Sequence, residues 1–179
     1  MFEYPDCRDL HIYAQVTQCL EESFHKNGHA LQKVKELAQK IHDGFEQISP
    51  LIQQNTEKIC PECTSVCCIS KHGYYLFEDL IYLYALGLRP PDCEFGRNET
   101  DPCQFLSPNG CIMERPVRPS GCNWYFCDAL LDYMEKMPEH HDFDELLRDI
   151  AELWMEMIEE FIHLCIENEK SMPFHQLSK

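Results

Sequence analysis

Nine cysteines, eight of them in two groups, fall between residues 60 and 127 of this chain, in a stretch that prolines break at 90, 91, 102, 108, 116 and 119. Proline fixes φ and has no amide donor, so neither a long helix nor a central strand runs through such spacing. A loop-like segment of this length is uncommon in a compact domain unless something other than a hydrocarbon core holds it. The cysteines supply a candidate. The two groups are Cys60-Pro-Glu-Cys63-Thr-Ser-Val-Cys67-Cys68, then Cys103, Cys111, Cys122 and Cys127, the last two enclosing Asn-Trp-Tyr-Phe.

The spacing has chemical meaning. A two-residue gap, as between Cys60 and Cys63, lets both sulfurs face one ion while the backbone turns around it. Zinc takes four thiolates at tetrahedral positions, and iron–sulfur clusters use four thiolates as well. Adjacent side chains point in different directions along most backbones, so one ion rarely takes both Cys67 and Cys68. All eight cysteines are therefore candidate ligands, and the adjacent pair argues for two sites or for one ligand with a packed neighbour. Of the remaining four, Cys7, Cys19 and Cys165 read as small buried hydrophobes, and Cys93 has no assignment.

The compartment decides between metal and disulfide. Met1-Phe2-Glu3-Tyr4-Pro5-Asp6 has no basic start, apolar core or small-residue cleavage site, so no export signal is expected and the cytoplasm is the expected location. Thiols stay reduced there, and clustered cysteines bind metal or do redox chemistry. A thioredoxin-like role for Cys60-Pro-Glu-Cys63 would need a strand before it and a helix after it, and no βαβ pattern surrounds the motif.

Charge narrows the partners. Asp and Glu number 31 against 15 Lys and Arg, a formal charge of −16 that repels a phosphate backbone. Nucleic acid is therefore not expected, and a basic protein partner stays open. The longest apolar run, residues 80–86, is far shorter than the roughly 20 residues of a membrane span.

Outside the cysteine region the pattern is helical. Leu10, Tyr13, Val16, Leu20 and Phe24 predict a helix over about 9–25, stopped by Asn27-Gly28. Leu31, Val34, Ala38, Ile41, Phe45, Ile48 and Ile52 alternate steps of three and four, the seam of a long helix that Pro50 should kink or restart. A helix over 77–86 ends at Gly87, and a short one over 128–137 ends at Pro138. Asp142 or Asp144 should cap the last and longest helix, which carries Leu147, Ile150, Trp154, Ile158, Phe161 and Cys165 on one face and runs to about Lys170. Residues 171–179 read as a frayed tail. The expected fold is all-α and a single domain over 1–179: N-terminal helices in 1–57, a cysteine-cluster metal-binding region in 58–128, and C-terminal helices in 129–179.

Other motifs carry less. Glu22 with His25 and Glu160 with His163 match the Glu-x-x-His form of di-iron bundles, but each lies about 120–180° from its helix's apolar stripe and should face solvent. His72 could replace a thiolate or simply precede the Gly73 turn, and His140 and His141 read as exposed polar residues. No nucleophile–histidine–acid set or phosphate-binding glycine loop is visible.

The cysteine pattern resembles the YkgJ-like cysteine-cluster family, described as a zinc- or iron-chelating domain. The matching residues are Cys60, Cys63, Cys67 and Cys68, then Cys103 and Cys111, then Arg118-Pro119-Ser120-Gly121-Cys122, then Cys127, together covering roughly 58–128. Two departures stand out: three residues rather than two separate Cys63 from Cys67, and Asn123 follows Cys122 where the family usually has arginine. The resemblance implies a metal site holding zinc or an iron–sulfur cluster in a structural, electron-transfer or accessory role. The alternative is an iron–sulfur-dependent, protein-modifying enzyme, since some members are described as flagellin lysine methylases. Arg115 and Arg118 are either cations that offset thiolate charge or ordinary solvated arginines. Trp124, Tyr125 and Phe126 either shield the site from water or form what core this region has.

Overall fold

The computed structural model describes residues 2, 4–62, 68, 73–98, 100–108, 110–167 and 174. The protein is mostly helical. Its elements in chain order are α1 (Leu10–Lys26), α2 (Gln32–Ile59), α3 (Phe77–Ala85), β1 (Leu106–Ser107), β2 (Gly110–Cys111), α4 (Gly121–Trp124), α5 (Asp128–Met134) and α6 (His140–Glu167). Two single 3-10 turns, Cys60–Glu62 and Arg115–Val117, also lie among the described residues. No described helix is long and apolar enough to cross a membrane.

The chain divides into two compact units. The first takes Met1–Ile41, Tyr74–Phe95 and Glu152–Lys179, and the second takes His42–Gly73 and Gly96–Ala151.

In the first unit, α1 begins where the Asp9 carboxylate accepts the amides of His11 and Ile12 at 2.8 and 3.0 Å, satisfying donors that the helix itself leaves open. The helix buries Val16, Leu20 and Phe24 and packs against α3. α3 is apolar around most of its circumference, as a central helix must be: Phe77, Leu80, Ile81, Tyr82, Leu83 and Ala85 are all buried. Its start is fixed by Asp79, whose carboxylate accepts the Leu76 amide at 2.8 Å, and Gly87 at φ +73 follows its end. Phe161 stacks or edges onto Phe24, Phe77 and Phe174 at centroid distances of 6.0, 6.2 and 5.5 Å. Phe174 is fully buried. The expectation of a frayed tail fails at that position, because the phenylalanine ring packs into an aromatic cluster; the other residues of 171–179 lie outside the described set.

The seam that begins at Leu31, just before α2, is buried along its whole length: Leu31, Val34, Ala38, Ile41, Phe45, Ile48 and Ile52 are each at most 2% exposed. Pro50 does not restart the helix, which continues to Ile59. The ring removes one amide donor, but Pro50 and Glu46, whose carbonyl loses that donor, are both on the exposed side, where water replaces the bond.

In the second unit α2 meets α6 at Gly44. A Cβ there would stand 2.7 Å from Ile150 Cγ1, so only glycine allows this approach. Phe45 packs on Trp124 at 5.4 Å and Phe143 on Phe126 at 5.7 Å. The rest of the expected loop, residues 88–127, is not structureless. β1 and β2 pair as a two-stranded antiparallel ladder with Leu106 opposite Cys111, extended by the Ile112 amide donating to the Phe105 carbonyl at 3.0 Å. α4 follows the second 3-10 turn, and α5 ends at Met134 rather than 137. α6 begins at His140, ahead of the expected aspartate caps. Prolines cut this region into pieces too short for a periodic pattern to show, so its short elements escaped sequence reading.

Candidate metal centre

Six of the eight candidate ligands lie among the described residues; Cys63 and Cys67 lie outside them, as does His72. Cys60 opens the 3-10 turn at the end of α2 and is exposed, as is Cys68. Cys103 precedes the ladder, Cys111 sits on β2, Cys122 on α4, and Cys127 caps α5, its carbonyl accepting the amides of Leu130 and Leu131 at 2.9 Å each. These last four are half-buried.

The two cysteine groups meet through the backbone. The Cys103 amide donates to the Cys68 carbonyl at 2.6 Å. Gly73 then passes so close to Cys103 that a Cβ on it would lie 2.8 Å from the sulfur and 3.0 Å from the Phe105 ring. Its φ of +64 also lies in the left-handed region that glycine tolerates best. Both demands single out Gly73, which sequence reading treated only as a turn.

Charge draws the same residues together. Burial pushes the Cys122 thiol up to about 11, and Cys103, Cys111 and Cys68 add to it as neighbouring sulfurs, while Arg118 opposes them. Arg115 is 7% exposed; burial, then Arg118, lowers it to about 10, while Cys122, Cys111 and Cys68 act in the opposite sense. It therefore remains a cation at neutral pH. Its Nη1 donates to the Cys122 carbonyl and to Asn123 Oδ1, each at 3.3 Å, and Asn123 Nδ2 donates back to the Arg115 carbonyl at 3.4 Å. Among the described residues no carboxylate pairs with Arg115. Asn123 is fully buried, so the residue that departs from the family pattern is the one that seats the guanidinium. Arg118 instead donates from Nε to the Met113 carbonyl at 2.9 Å.

Cys68, Cys111 and Cys122 act electrostatically on the buried Arg115, but the described side chains do not assemble a ligand set. Among the described residues no three His, Cys, Asp or Glu side chains form a set that could hold a metal ion.

The other candidates settle differently. Cys7 and Cys165 are 1% and 4% exposed, and burial raises each thiol to about 12, which suits small apolar fillers. Cys93 is half-buried, with its thiol directed to the Pro91 carbonyl at 3.5 Å. Glu22, His25 and His163 are exposed, and Glu160 is half-buried with its carboxylate 2.9 Å from Lys33 Nζ. His141 is exposed, and His140 is half-buried within the first turn of α6. Trp124 and Phe126 pack on the helices named above, and Tyr125 is 51% exposed.

Compared with protein-family models, curated proteins and solved structures, the chain gives no match in any of the three. The resemblance to the YkgJ-like family therefore rests on cysteine order and the Arg-Pro placement alone.

Proposed function

We propose that this protein is a metal-binding module of the YkgJ-like type that holds zinc or an iron–sulfur cluster through Cys60, Cys63, Cys67, Cys68, Cys103, Cys111, Cys122 and Cys127. The cysteine region is the metal-binding insert between the N-terminal and C-terminal helices, and its role is structural, electron-transferring or accessory. It works in the cytoplasm, where thiols stay reduced, and its acidity directs it to a basic protein rather than to nucleic acid.

One observation carries the reading. The Cys103–Cys68 backbone bond joins two cysteine groups far apart in sequence, and it does so beside a buried guanidinium with no carboxylate partner among the described residues. An uncompensated buried cation costs several kcal/mol, roughly 3–5 when a partner is removed, and thiolates on a metal supply the missing negative charge. When bound, zinc would tie the segment as a structural cross-link, and an iron–sulfur cluster would add one-electron redox capacity.

Anaerobic purification with elemental analysis and a visible absorption spectrum tests this. Iron with labile sulfide and a brown colour identify a cluster, and stoichiometric zinc in a colourless protein identifies a structural site. A folded protein that holds neither metal, and whose unfolding curve ignores chelators, would falsify the proposal.

A further inference from the structure

A cavity of about 210 Å³ opens on the first unit, lined by Tyr4, Glu78, Trp154, Met155, Ile158 and Glu159. The helices explain this lining. Trp154 with Ile158, and Met155 with Glu159, are pairs four positions apart and so neighbours on one side of α6, while Glu78 lies in the first turn of α3. α3 also seats both aromatic rings: Tyr4 meets Phe77 edge-on at 6.0 Å, and Trp154 lies tilted against Tyr82 at 5.2 Å. Phe77 and Tyr82 are buried, so each ring of the cavity rests on core.

The two carboxylates of the cavity lack a cation. Elsewhere on α6, Glu156 and Glu160 share Lys33 Nζ at 3.1 and 2.9 Å. Among the described residues no Lys, Arg or His pairs with Glu78 or Glu159. Both act on the same ring, since burial, then Glu78 and Glu159, raise the Tyr4 phenol. The formal charge of −16 on the whole chain adds to their field.

Such a lining selects its ligand by chemistry. Aromatic faces attract cations, most of all where a desolvated cation meets tryptophan. A metal ion would find only two carboxylates here, and among the described residues no three donors are placed to hold one. A bare ammonium would give up its water to walls in which Trp154, Met155 and Ile158 offer no strong acceptor. Methyl groups on the nitrogen remove that mismatch, because they bring apolar surface to the same walls while the charge remains. The volume lies below the roughly 300–1,000 Å³ of sites for drug-sized ligands, which suits a head group.

We propose that this cavity binds an alkylated ammonium head group, with Tyr4 and Trp154 against its methyl groups and Glu78 and Glu159 as its counter-charges. The site is independent of the metal-binding reading and stands or falls without it.

Choline chloride titrated into the intact chain, followed by proton NMR, tests the site. The N-methyl resonance should broaden and move upfield as the two rings enclose it. Two controls separate charge from shape: the carbon analogue of choline, in which a tert-butyl group replaces trimethylammonium, and lysine amide, which has the charge without the methyl groups. Each should bind several-fold more weakly than choline. No choline signal up to high millimolar concentration, or equal binding of either control, overturns the proposal.

Variants locate the effect. Trp154→Ala should weaken choline binding about 3–30-fold, and the double variant Glu78→Gln/Glu159→Gln, which keeps shape and loses charge, should do the same. Unchanged affinity in a folded variant of either kind places the ligand elsewhere and overturns the assignment. Should Trp154→Ala fail to fold, the double variant decides alone. A trimethyl-lysine peptide, compared with its unmodified form, identifies the source: tighter binding than choline assigns the head group to a protein side chain, and weaker binding assigns it to a free amine, both in support of the site.

Discussion

The two units of this molecule bury cysteine for opposite reasons. In the first, Cys7 and Cys165 are buried, and burial, helped at Cys7 by the nearby carboxylates of Glu78, Asp6 and Asp79, raises their thiols to about 12. In the second, Cys122 is raised to about 11 with other sulfurs contributing, and a buried arginine stands beside it. A thiol in hydrocarbon is satisfied as it is. The thiols near Arg115 instead share their surroundings with a buried guanidinium that hydrogen-bonds to the Cys122 carbonyl and Asn123. The comparison teaches that two raised thiols can have different surroundings: one set by burial, the other by burial together with neighbouring sulfurs and a buried arginine.

On the metal-binding proposal, the largest effect should come from removing the ion with a chelator. The segment from Cys103 to Trp124 holds two two-residue strands, a four-residue helix and one 3-10 turn, none of which is stable without outside support. Structural zinc contributes about 10–16 kcal/mol of apparent binding energy in small domains, so its loss should release this segment. Hydrogen exchange followed by mass spectrometry should show amides across 103–124 exchanging fast in chelator-treated protein, with those of α1 and α3 still protected. Equal protection in the two preparations would break the contrast between the units.

A second effect, smaller and opposite in place, tests the hydrocarbon side. Phe161 is fully buried and touches three other phenylalanine rings. Phe161→Ala should destabilise the protein by about 3–5 kcal/mol, seen as a lower urea midpoint, and should leave metal content unchanged. Loss of metal in this variant would mean that the units do not divide the work as described.

The long periodic helices were legible because a seam such as Leu31 to Ile52 repeats often enough to define a face, and every residue of it is buried. Gly87 as a stop was legible for the same local reasons, whereas Asp9, read as the start of the first helix, is its cap. The ladder at Leu106 to Cys111 was not, since two-residue strands have no period to detect. Of the candidate site, the cysteine pattern was visible at once, but the partners of Arg115 were not. Asn123 follows Cys122 as an ordinary polar residue in sequence, and only the fold closes the loop that brings it onto Arg115. Gly73 is the same case: its need for glycine comes from a sulfur thirty positions away. Phe174 shows the converse, a residue in a polar tail whose burial depends wholly on rings from other elements.

The smallest effect concerns Cys165 and alkaline pH. Its thiol is raised from 9.0 to about 12 in the folded protein by burial alone. Below pH 9 the thiol is protonated in both folded and unfolded chains, so it adds no pH dependence. Above that, the unfolded chain releases its proton while the folded one keeps it, and stability falls by up to about 1.4 kcal/mol per pH unit until the folded thiol itself ionises. Urea unfolding at pH 8 and pH 10 should therefore show a steeper loss for wild type than for Cys165→Ala, which removes the group. The subtraction also removes tyrosines and lysines that titrate in both proteins. Equal losses would mean that the thiol ionises in place, that the hydrocarbon around it admits water, and that the contrast with the sulfur-rich unit is weaker than the burial of Cys165 indicates.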